Sequence, residues 1–246
     1  MVLKAVEVTK EVNLWVEKET SGFIKDNLPS DSVDYFIRLI FANAVYFKGA
    51  WEHKFDASNT KDDNFFLLNG SSVQVPFMTS KEKQYILSVA SSGFKVLKLP
   101  YEQDAKDGLL AIVEKKGSES GFIEKHLPHY PVEVHEFLNP KFKISLGFQV
   151  SEVLQELGLV FPFSGDRLTE MVDQKLNISS IYHKSFIEEN EKGTKAAAAS
   201  AAIVNLRSAR HRKFDFVANH PFMFVVREDK TGVLLFIGQV HNPLSD

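Results

Sequence analysis

The chain has 246 residues, 44% of them hydrophobic and 25% charged, and a formal net charge of −3, values that suit a globular protein with enough apolar material for one large core. So small a charge, scattered in sign, excludes nucleic acid or an anionic membrane as a partner recognised through bulk electrostatics. The absence of cysteine excludes disulfide scaffolds, thiolate metal sites and cysteine nucleophiles. No apolar run reaches the length of a membrane span and the N-terminal segment lacks a secretory signal, so a soluble cytoplasmic or nuclear protein is expected, extracellular only if Met1 is a fragment boundary.

Ala5, Val8, Val12 and Trp15 recur at helical spacing with Glu and Lys between them, which predicts an amphipathic helix over 3–20, ended by Gly22 and laid on a surface elsewhere in the chain. From Arg38 to Val45 the chain becomes apolar, β-branched and aromatic, predicting a buried strand with a long exit to Phe55. Short strands are expected at 73–78, 84–89 and 94–99, separated by Gly, Ser and charged turns. Residues 109–126 and 151–158 carry helical patterning, whereas 132–137 and 141–148 alternate as half-buried strands do. The tail from 214 to 240 reads as two deeply packed strands joined at Asp229 to Gly232. The class is mixed α+β, in one domain without internal repeats.

Several candidate features carry little chemistry. Two glycosylation sequons, Asn69-Gly70-Ser71 and Asn177-Ile178-Ser179, matter only in a secreted chain. His126, His129 and His135 fall on different predicted elements, so neither a metal nor any other cofactor is expected. A hydrolase would need a nucleophile motif such as G-x-S-x-G, and none is present.

The conspicuous insertion is GTKAAAASAAIVNLRSARHRK at 193–213, which has no large apolar residue before Ile203 and cannot bury a face of its own. Thr194, Ala196, Ala198, Ser200 and Ala202 alternate, so in an extended chain they share one face, each small enough to slide over a packed sheet. The same alanines favour a helix, which stays open for the intact loop. Gly193 gives a pivot without a side chain.

Three segments in order resemble the serpin family, and plant serpins in particular: LIFANAVYFKGAWEHKF at 39–55, EENEKGTKAAAASAA at 188–202 and FVANHPFMFVV at 216–226. The resemblance implies an incomplete serpin fold: a large central β-sheet with packed helices and a long exposed reactive-centre loop at about 193–213. It places Asn43, Trp51 and His183 at the shutter and breach of the large sheet, Glu191 and Gly193 to Ala202 at the loop hinge, and Arg207–Ser208 at the reactive bond. The implied partners are serine endopeptidases of trypsin-like specificity, cysteine endopeptidases being a further class, and the implied activity is inhibition, without enzyme activity. The resemblance begins at a helix crossing the front of the large sheet, so the preceding third is expected to be absent, and 101–110 is expected to omit a strand. Lys192 and Lys195 stand where plant relatives usually carry acids. The alternative is a truncated, non-inhibitory serpin that gains no stability on cleavage, is cut as a substrate, or associates with another serpin through sheet edges.

Overall fold

The computed structural model describes residues 5–34, 36–37, 39–91, 93–102, 107–112, 121–164, 177–192 and 214–245. In chain order its elements are α1 (Ala5–Glu19), β1 (Ile40–Phe47), β2 (Lys61–Phe66), β3 (Ser72–Met78), β4 (Gln84–Val89), β5 (Phe94–Pro100), β6 (Asp107–Ile112), α2 (Phe122–Lys125), β7 (Pro131–Val132), β8 (Val134–Pro140), β9 (Phe142–Gln149), α3 (Val150–Glu156), β10 (Ser180–Glu189), β11 (Phe214–Val217), β12 (Phe222–Glu228) and β13 (Leu234–Val240). They divide into two compact units, one from Met1–Phe47 with Ile144–Ile187 and one from Lys48–Lys143 with Glu188–Ser245.

The first unit packs α1 on a three-stranded sheet of order β1-β10-β9. Val16, Ile24 and Phe186 form its buried centre, with Val12, Phe23, Ala44 and Tyr46 against them. Gly22 ends the helix at φ +81°, and its N–H donates to the Glu17 carbonyl at 2.7 Å. The buried helix face differs from the expected one: Thr9 and Val16 are buried, whereas Trp15 is 59% exposed. Threonine can line the core because its hydroxyl donates to the Ala5 carbonyl within the helix.

Ala44, Tyr46 and Phe186 face α1, so the intervening residues of the same strands face away from it. That opposite face carries Phe41, Asn43, His183, Leu146 and Phe148. It is open, with Phe41, Leu146 and Phe148 at 38%, 54% and 44% exposure. The expectation of a buried strand at 38–45 therefore fails for β1, whose apolar residues are covered, among the described residues, on the α1 side only.

The second unit contains a six-stranded sheet, β13-β12-β6-β5-β4-β7, and a four-stranded sheet, β11-β8-β3-β2. Phe94, Val96, Phe122 and Val225 form one buried cluster, and Phe137 stacks between Phe55 and Phe216. Gly238 lies opposite Phe224 on the neighbouring strand, where an added Cβ would come within 2.6 Å of the ring, so only glycine fits. At the outer strand β2, Lys61, Asp62 and Asp63 are exposed charges that discourage further strand pairing. The tail forms β12 and β13 about the expected turn, but the expectation of two deeply packed strands is corrected: 214–217 is a further strand, β11, in the four-stranded sheet, and β13 leaves Leu234, Leu235 and Ile237 exposed. The expected helix over 109–126 is corrected: 107–112 is strand β6, paired on both sides, and among the described residues of that span only 122–125 is helical. The short apolar run Leu109 to Ile112 suits either state, and two neighbouring strands decide it. The expected missing strand is corrected by the same pairing, which leaves the sheet continuous from β5 to β12.

Candidate functional site

Gly193, Thr194, Ala196, Ala198, Ser200, Ala202, Arg207 and Ser208 lie outside the described residues, so the site is built from the chain that leads into them.

In the first unit, β1 and β10 run parallel and in register from Ile40 opposite Ser180 to Phe47 opposite Ile187. This register sets Asn43 opposite His183, and their side chains meet with Nδ2 to Nδ1 at 3.0 Å. With the amide nitrogen donating, Nδ1 accepts and the imidazole carries its proton on Nε2. The Phe148 ring meets the imidazole edge-on at 5.7 Å between centroids. The pair thus ties the two strands by side chains, on the open face of the sheet.

In the second unit, the last residues before position 193 are held by backbone and aromatic contacts. Trp51 is 2% exposed and stacks on Tyr101 with centroids 4.4 Å apart and planes 13° from parallel. Its indole N–H donates to the Asn190 carbonyl at 2.8 Å, and the Phe55 N–H donates to the Glu191 carbonyl at 2.9 Å. A buried indole needs an acceptor for its single N–H, so its packing and its hold on Asn190 come together.

Glu191 is also buried, and its carboxylate is well supplied with donors: Thr60 Oγ1 at 2.8 Å and Lys141 Nζ at 3.0 Å on one oxygen, and Lys141 Nζ at 2.9 Å on the other. Burial alone would raise its pKa, but the Lys141 hydrogen bond, its own backbone N–H, Thr60 and the Lys141 charge outweigh burial and hold the carboxyl below its ordinary value. Such a group stabilises the fold above the ordinary carboxyl pKa of 4.5, and that stability is lost as the pH falls through the lower folded value. Replacing Glu191 with Gln should therefore lower the denaturant midpoint at neutral pH and flatten its fall in acid. Equal acid sensitivity in both proteins would overturn this assignment.

The sequence candidates thus fall into two groups: Asn43 with His183, and Trp51 with Glu191. Lys141, Thr60, Tyr101 and Asn139 escaped the sequence reading. Each lies 50 or more residues along the chain from the residue it meets, and no local pattern marks them. The imagined histidine trio is accounted for differently at two of its members, His126 packing on Phe94 and Phe122 and His135 meeting Asp215 at 3.3 Å.

Residues 3–243 match the family described as Serpin (serine protease inhibitor). The chain is 55% identical to Serpin-ZXA of Oryza sativa subsp. japonica and 53% identical to Serpin-ZX of Hordeum vulgare, in each case over 98% of this chain and 65% of the relative. Among solved structures it is similar to Arabidopsis AtSerpin1 in its native stressed conformation, at 48% identity and a TM-score of 0.86, covering 98% of this chain and 67% of that one. The chain spans just under two thirds of the length of the curated relatives it matches.

Proposed function

Because this chain belongs to the serpin family, we propose that it acts as a serpin-type inhibitor of serine endopeptidases with Arg207–Ser208 as the bait bond. A trypsin-like enzyme would take the Arg207 guanidinium into an acidic pocket by paired, charge-assisted hydrogen bonds. Attack by its serine would transfer the Arg207 acyl group to the enzyme and free Ser208 as a new N-terminus. The observation that carries this reading is the parallel β1–β10 ladder, which leads toward a segment anchored at Asn190 and Glu191 immediately before Gly193. A chain that turns back at Gly193 runs antiparallel to β10 and, since β1 is parallel to β10, antiparallel to both walls of the seam. Insertion would exchange one parallel ladder for two antiparallel ones, which are slightly more stable per residue. Thr194, Ala196, Ala198, Ser200 and Ala202 supply the small side chains that such a slot demands.

A second reading, cleavage as an ordinary substrate, is favoured by the open face of the three-stranded sheet, where Leu146 and Phe148 remain exposed. A sheet covered on one side has less packing to hold an added strand. Mixing the protein with trypsin and running a denaturing gel separates the two. A stable high-mass adduct is the expected result; two clean fragments without adduct would sink inhibition and leave the substrate reading.

A further inference from the structure

Glu189, the last residue of β10, is 4% exposed, and Asn139 of β8, its hydrogen-bonding partner, is 0% exposed. The Asn139 Nδ2 donates to Glu189 Oε1 at 2.5 Å, while Asn139 Oδ1 is buried with no hydrogen-bond partner among the described residues. An ionised carboxylate offers only acceptors, so it cannot satisfy that amide oxygen; a protonated carboxyl adds the one donor the pair lacks. The surrounding charges do not favour the anion. Lys141, which follows β8, is engaged by Glu191 at 2.9 Å, and Glu188 accepts from Asn190 at 3.1 Å.

We propose that Glu189 and Asn139 form a proton-dependent latch just ahead of Gly193: the protonated carboxyl donates to Asn139 Oδ1 while accepting from Nδ2, and loss of that proton to solvent releases residues 188–192. Burial, opposed only by the Asn139 hydrogen bond, pushes the Glu189 pKa up to about 8 from 4.5. The folded chain therefore keeps a proton that the unfolded chain gives up between those values. The latch's contribution to stability is complete below pH 4.5, declines as the pH rises, and is gone above the folded value near 8. Within that window the folding equilibrium constant should fall by close to tenfold per pH unit, roughly the slope of one linked proton. The behaviour is opposite in sign to that of Glu191, two residues away, whose contribution is lost in acid.

The latch does not depend on protease inhibition, and its test needs no protease. In protein carrying carbon-13 at the glutamate carboxyls, NMR should find one carboxyl titrating near pH 8. That signal should vanish in Glu189→Gln, and the denaturant midpoint of this variant should lose the wild-type decline between about pH 5 and 8. Exchange protection of the amides of 188–192, corrected for intrinsic rates, should fall across the same range in the wild type only. Should Glu189→Gln fail to fold, the wild-type titration still stands, and the double variant Asn139→Leu with Glu189→Leu removes both polar groups together, an exchange that buried pairs tolerate far better than loss of one partner. This double variant should fold and show no pH-dependent loss. If every glutamate titrates in the ordinary carboxyl range, or if the variants keep the wild-type pH profile, the latch is overturned.

Discussion

Brief digestion with trypsin should release a new N-terminus at Ser208, and Arg207→Ala should reduce cleavage at that bond by orders of magnitude, because the acidic pocket of a trypsin-like enzyme requires a cationic Arg or Lys side chain before the cut. Arg210 is the next basic side chain and should become the residual cut. Two competing sites are poorly placed. Lys10 and Lys18 lie within α1, whose backbone must unfold before a protease can draw it out as a strand. Mass spectrometry of an early time point checks the order, and a first cut after Lys10 or Lys18 would show that the bait bond is not offered.

Replacing Trp51 with Ala should cost about 3–5 kcal/mol, the range for removing a fully buried large aromatic. That is a large share of the 5–15 kcal/mol typical of a whole domain. The loss combines the cavity beside Tyr101 with the orphaned Asn190 carbonyl. Trp51→Phe separates the two contributions, keeping most of the packing while removing the N–H, and should cost nearer 1 kcal/mol from the hydrogen bond, apart from any packing change. Urea titration of the three proteins measures both. An alanine variant within about 1 kcal/mol of the wild type would mean that Trp51 does not anchor this segment.

Local periodicity made the elements of this chain legible, but not what covers them. The spacing of Ala5, Val8, Val12 and Trp15 announced α1 correctly, yet the buried stripe runs through Thr9 and Val16 instead, since a helix can be rotated by a fraction of a turn without changing its sequence pattern. At β1 the apolar run identified a strand and overstated its burial, because Phe41 and Asn43 face a side that no described element covers. Family resemblance grouped Asn43 and His183 on the large sheet, and their contact follows from the strand register. Glu191 was marked by its place at the hinge, but its partners were not. Lys141 and Thr60 come from distant parts of the chain, and single residues of common type give no sign of being brought together. Glu189 shows the limit most plainly: in the sequence it is one more acid in a charged run, and only the fold reveals that it is enclosed.

The register of β1 against β10 also dictates an order of events as the chain folds. Asn43 meets a residue 140 positions downstream, so β1 must wait for β10, its partner among the described strands, until the intervening chain exists. At a synthesis rate of about 5–20 residues per second, the strand would wait roughly ten seconds or more with the edge that β10 takes unpaired. Contacts of such long sequence separation are slow to close even in a finished chain. The seam should therefore be among the last parts to form, with a low φ-value for Asn43→Ala, and refolding yield should depend on protein concentration, since a waiting strand can pair with a neighbouring molecule before its own β10 arrives.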